Sequence, residues 1–161
     1  HSGNYLGSFK TLQEQLKINA QEAKDLLQRF YDSSPSLVNW HHEIKTEMER
    51  TKTLITPLGR KRIFFGRIDM PKAVAYIPQE TCAHVLNIGM VLIYNTICKE
   101  HKDINILLTV HDSILIQHPP ELKDYIYEQL PKLMKVDVPW KDGIFNIEIE
   151  MKSGYNWRDL K

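Results

Sequence analysis

Cysteine, glycine, long apolar runs and a dominant sign of charge are all scarce in this chain of 161 residues. No apolar run reaches membrane-spanning length and no signal-peptide pattern opens the sequence, so a soluble, intracellular protein without a membrane partner is expected. The two cysteines, Cys82 and Cys98, fall in one helical stretch, about 24 Å apart at the rise of an α-helix, too far to pair. That suits a reducing compartment. Seven glycines and eight prolines rule out collagen-like and low-complexity classes. No glycine-rich phosphate loop or nucleophile elbow occurs. His41-His42-Glu43 is followed by Thr46 where a zinc-protease helix needs its second histidine, and neither cysteine has a zinc-type neighbour. Twenty-one basic residues meet twenty acids, so any grip on a polyanion must be regional. The first residue is His1, which suggests a processed product or part of something longer.

What is present is ordinary globular material, 42% apolar and 25% charged, enough to build a packed core. Phe9, Leu12 and Leu16 recur at helical spacing. Asn19 with Glu22 reads as a capping box for a second helix, and Ser34-Pro35 opens a third, with Leu37, Trp40, Ile44 and Met48 on one face. Residues 53–56 and 62–65 are β-prone runs around Pro57-Leu58-Gly59, a hairpin. The longest helix is expected to open at Pro78 and run to about Lys99. A second hairpin should join 104–110 to 114–117 through His111-Asp112-Ser113. A helix with Leu122, Ile126 and Leu130 follows, interrupted at Pro131, and a last strand should alternate from Phe145 to Met151.

Three features could carry chemistry. Asp112, held between two apolar strands, protrudes as a hard-cation ligand must, although a turn aspartate commonly does no more than bond its own backbone. Arg60, Lys61, Arg62, Arg67 and Lys72 could grip phosphates, or could guard a solvated hairpin edge. Gln79, at the expected helix entrance, could read a base or sugar edge, or could be solvated.

Six short motifs occur in one order. They are His-Ser-Gly-Asn-Tyr at 1–5; Glu22-Ala23 with 35–40; Thr56-Pro57-Leu58-Gly59-Arg60-Lys61-Arg62; Pro78-Gln79-Glu80-Thr81; Val110-His111-Asp112; and Gly154-Tyr155-Asn156-Trp157. This order resembles the C-terminal part of a family A (DNA polymerase I-like) DNA polymerase, especially of the viral branch. The motifs are similar, in turn, to the end of the nucleotide-binding finger helix, the later finger helices, the T-x-x-G-R-x-R hairpin, the PQ-x-T helix entrance, the third palm motif and the G-x-N-W ending.

The resemblance implies an α+β fold: a fingers-like helical segment at 1–50, then a palm-like antiparallel sheet backed by helices at 51–161. It implies a role in DNA replication, by nucleotidyl transfer from dNTP onto a DNA primer-template with two magnesium ions. Asp112 matches the second metal-binding carboxylate and His111 would approach the primer terminus. Gln79 would meet the minor groove, Arg60 would lie near bound DNA or support the palm, and Tyr5 would lie near the templating base. Lys72 is near, but not in register with, a basic family position. The first carboxylate and the basic nucleotide-gripping residues lie upstream in the family and match nothing here. A larger polymerase chain is therefore expected to supply them, this chain alone being inactive. Ser113 replaces a glutamate common in the family, and a V-H-D-S form also resembles single-subunit RNA polymerases, though the neighbouring motifs favour the DNA enzymes. The expected location is the cytoplasm, that of a host if the source is viral. The alternative is a non-catalytic DNA-binding or assembly module on the same scaffold.

Overall fold

Local signals at the helix ends account for much of the first half of the chain. In a computed structural model, which describes residues 3–141 and 143–160, α1 (Phe9–Leu16) starts where Ser8 Oγ accepts the Thr11 N–H. α2 (Ala20–Asp32) starts with a complete capping box: the Asn19 amide oxygen accepts from the Glu22 N–H at 2.9 Å, and the Asn19 N–H donates to the Glu22 carboxylate at 3.1 Å. α3 (Pro35–Thr51) begins on its proline, whose missing N–H costs nothing in the first turn. The Ser34 hydroxyl makes no cap there. A left-handed Lys52, φ +53°, then turns the chain from α3 into a strand.

The chain divides into two compact units, His1–Glu80 and Thr81–Lys161. In the first, β1 (Thr53–Ile55) pairs antiparallel with β2 (Lys61–Ile63), Leu54 opposite Arg62. Ile44 and Met48 of α3, Leu54 of β1, and Ala73, Val74, Tyr76 and Ile77 of α4 (Met70–Ile93) form the core of this unit. Each large side chain so buried is worth about 1.5–3 kcal/mol of transfer free energy.

α4 opens eight residues before the expected entrance. The Asp69 carboxylate accepts the Lys72 N–H at 3.3 Å and the Asp69 carbonyl accepts the Ala73 N–H at 3.0 Å, with Pro71 in the first turn. Pro78 is therefore inside the helix, forfeiting the bond that the Val74 carbonyl would have received. With the π-helical turn Tyr94–Cys98 that continues it, this helix is long and apolar enough to cross a membrane by length and composition, which corrects the expectation that no stretch reaches that size. Its buried residues serve both cores, as a core helix requires: Val74 and Ile77 in one, Ile93 and Ile97 in the other.

In the second unit, β3 (Asn105–Val110) and β4 (Ser113–Gln117) make an antiparallel hairpin. Ile106, Ile114 and Ile116 pack on a core of Ile93, Ile97, Ile104, Ile126 and Met134. α5 (Lys123–Met134) continues through Pro131 rather than being interrupted by it. A Cβ at Gly89 would collide with the Met134 thioether, so the glycine permits the close packing of α4 on this residue. β5 (Val138–Trp140) pairs with β6 (Gly143–Phe145), a hairpin the sequence reading missed. The expected strand at 145–151 is corrected: β6 ends at Phe145. Residues 146–151 still alternate, with Ile147, Ile149 and Met151 half-buried and Asn146, Glu148 and Glu150 exposed. The fold is α+β, its strands arranged among the described residues as three two-stranded antiparallel sheets.

Candidate functional site

The hairpin β3–β4 carries an exposed polar tip in the second unit. Val110 pairs with Ser113, so His111 and Asp112 alone form the tip. His111 adopts φ +54°, a left-handed conformation that non-glycine residues occupy at a cost and that histidine tolerates better than most. The local turn bond is made by Ser113, whose hydroxyl donates to the Val110 carbonyl at 2.8 Å. The Asp112 carboxylate is exposed and, among the described residues, takes no hydrogen bond or ion pair. The commonplace role of a turn aspartate is thus filled by its neighbour, leaving this carboxylate available.

Below the tip the strand is irregular. Ile106 faces Ile116 but Leu108 faces Leu115, so Leu107 is an extra residue, a β-bulge. Leu107, Leu108 and Val110 are exposed at 51%, 42% and 38%. Such an apolar strip beside an unpaired strand edge is what a further strand or chain would cover.

The first unit holds the basic hairpin. Gly59, φ +85°, lets the chain turn, and its N–H donates to the Thr56 carbonyl at 2.8 Å. Arg60 is fixed at both main-chain groups: its N–H donates to Thr56 Oγ1, and its carbonyl accepts from the Thr56 N–H at 2.8 Å and the Tyr76 hydroxyl at 3.2 Å. The Arg60 guanidinium pairs with the Glu80 carboxylate of α4. The Arg62 guanidinium lies over the rings of Phe64 and Tyr76, 4.8 and 5.4 Å from their centroids. Burial, then the Glu80 carboxylate, push the Tyr76 phenol above its ordinary value.

The remaining expected residues are spread over the same unit. Lys72 is exposed and pairs with Asp69 at 2.9 Å, a contact that holds the Asp69 carboxyl below its usual value. Gln79 is exposed on α4, one residue before Glu80, in mid-helix rather than at an entrance. Tyr5, half-buried, ends the short 3₁₀ turn Gly3–Tyr5 and packs on the core of this unit. That turn is tied down where the Tyr31 hydroxyl donates to the Gly3 carbonyl at 3.1 Å and His41 Nε2 bonds the Asn4 carbonyl at 2.8 Å. His1 and Ser2 of the first motif lie outside the described residues.

Arg60, Lys72, Gln79 and Tyr5 thus belong to one compact unit, His111 and Asp112 to the other. Glu80 and Tyr76, which hold Arg60, escaped the sequence reading. Their only signal was i, i+4 spacing on one helix face opposite a basic hairpin. The described residues include no group of three or more potential metal ligands, so by themselves they do not complete a magnesium site. Asp112 could furnish one oxygen of such a site.

The sequence profile of DNA polymerase family A matches residues 4–159. DNA polymerase I of Helicobacter pylori is 27% identical over 94% of this chain, and that of Caldicellulosiruptor bescii 23% over 93%; the chain spans 18% of the length of each. DNA polymerase theta of Caenorhabditis elegans is 24% identical over 94% of the chain. Among solved structures, the POL domain of Pol1 from M. smegmatis, in complex with DNA primer-template and dNTP, superposes with a TM-score of 0.74 at 20% identity. It covers 83% of this chain, which spans 25% of that one.

Proposed function

Because the chain belongs to DNA polymerase family A, we propose that it forms the rear of the fingers (residues 1–50) and most of the palm (51–161) of a DNA-directed DNA polymerase that replicates DNA. The observation that carries this reading is the Asp112 carboxylate, unpartnered among the described residues at the apex of a hairpin whose turn is closed by Ser113. A larger polymerase chain supplies the first carboxylate and the basic residues that grip the dNTP. The apolar strip of Leu107, Leu108 and Val110 supports such a junction. The viral affiliation and a cytoplasmic location, in a host cell for a viral enzyme, belong to the same reading.

Each residue then has a task. Asp112 offers an oxygen ligand beside the primer end. His111, on the same two-residue tip, orients that end. Gln79 presents an amide able both to donate and to accept, suited to the acceptors that every base pair shows in the minor groove. Arg60 and the exposed Lys61 and Arg62 meet backbone phosphate. Lys72, paired to Asp69, adds charge at the margin of this surface. Tyr5, fixed on its core, offers a ring to the templating base. Magnesium, when bound, activates the primer hydroxyl and balances charge on the transferring phosphoryl group.

The test is primer extension by this chain together with a polypeptide carrying the upstream carboxylate, comparing wild type with Asp112→Asn. Loss of a group that balances transition-state charge typically costs about 10²–10³ in turnover. Extension should fall at least that far while duplex affinity is retained. Unchanged extension would favour the non-catalytic DNA-binding or assembly module.

A further inference from the structure

We propose that Glu80 is a positioning residue that moderates the grip on DNA. Its carboxylate occupies the Arg60 guanidinium in the free protein and gives it up to a backbone phosphate when a duplex binds. The inference rests on the reading above, that this chain meets primer-template DNA.

The first support is how Arg60 is held. Its main chain is locked by Thr56 and by the Tyr76 hydroxyl, so the hairpin keeps its place on α4 whatever the side chain does. Tyr76 and Glu80 are four residues apart and share one face of the helix. One anchors the Arg60 backbone and the other takes its charge.

The second support is exposure. The Arg60 and Glu80 side chains are 46% and 25% exposed, so the pair lies at the surface, where an incoming anion can reach it. Pairs of this kind contribute little net stability, and a phosphate offers the same bidentate match to a guanidinium as a carboxylate does. Exchange of one anion for the other is therefore cheap.

The third support is the local charge. Arg60 is followed by Lys61 and Arg62, both exposed and, among the described residues, without an acidic partner. Arg62 is steadied over Phe64 and Tyr76 with its guanidinium edges free to donate. Among the described residues Glu80 is the one carboxylate paired with a cation of this strip, and it directly follows Gln79.

Binding of a labelled primer-template duplex to the full chain, measured by anisotropy over a salt series, tests the proposal with wild type, Glu80→Gln, Arg60→Gln and the double variant. Glu80→Gln should bind roughly three- to fivefold more tightly with the slope of log K against log salt little changed, because Arg60 meets a phosphate in both complexes, whereas Arg60→Gln, which lacks that contact, should flatten the slope by about 0.9. Arg60→Gln should weaken binding, and the double variant should match it. Glu80→Gln that binds no better than wild type, or that loses both affinity and melting temperature, overturns the proposal in favour of a structural tie between hairpin and helix. If wild type itself shows no salt-dependent duplex binding, the reading as a polymerase segment fails as well. Wild-type binding with an unresponsive Glu80→Gln removes this inference alone.

Discussion

Replacing His111 by glycine sets stability against function at the hairpin tip. The left-handed φ of +54° costs a residue with a Cβ about 1–2 kcal/mol, whereas glycine adopts it freely. Glycine gives back about 0.5–1 kcal/mol in unfolded-state entropy. The balance is a gain between zero and about 1.5 kcal/mol. For a chain of this length that is an upward shift in Tm of at most about 3–6 °C. His111→Val has the opposite sign, because a β-branched side chain is least at ease at positive φ. Melting followed by circular dichroism reads both variants, and primer extension in the assembled enzyme reads the second half of the argument. Both should extend poorly, since both lack the imidazole, although their stabilities lie on either side of wild type. A glycine variant that melts below wild type would refute the strain argument. One that extends as well as wild type would show that the imidazole has no part in the reaction.

Two further outcomes concern the first unit. Asp69→Ala removes the cap of α4 and should lower Tm by a few degrees. Because Lys72 holds this carboxyl below its ordinary 3.8, its contribution is present above that pH and lost as pH falls through the folded value. The variant should therefore melt with less dependence on pH at the acid end, and an unchanged acid profile would contradict this. The Tyr76 phenol is raised above 10.0, first by burial and then by Glu80. The neutral form is thus favoured by folding, and its contribution is complete below pH 10 and lost as pH rises through the folded value. Tyr76→Phe should cost about 0.5–1.5 kcal/mol at neutral pH, through the lost bond to the Arg60 carbonyl. It should also lose less stability than wild type in melts taken as pH rises above 10.

Signals confined to one turn of chain were legible in the sequence. Asn19 and Glu22 are three residues apart, and the capping box they spell is present in full. The polar tip at 111–113 between two apolar runs likewise gave the hairpin and its exposed carboxylate. The start of α4 was misplaced because proline is ambiguous: it is welcome in a first turn, yet a long buried helix can absorb one inside. Asp69 and Pro71 carried the same kind of signal as Ser34 and Pro35, hidden within a basic stretch. The Arg60–Glu80 pair joins residues twenty apart, and no local pattern encodes which of several cations a carboxylate will choose. At 146–151 alternation recorded a half-buried segment correctly, but strand pairing depends on a neighbour that periodicity cannot name.

The extra residue at Leu107 changes how β3 must be counted. Side chains before it and after it keep different parities, so the apex is aimed by a tally of residues as much as by their identity. Deleting a single position between Leu107 and Val110 would therefore do more than shorten a strand. It would remove the extra residue, restore a regular ladder and take away the local bend and added twist through which the apex carboxylate is aimed, so drift in length here changes that aim where drift in composition need not.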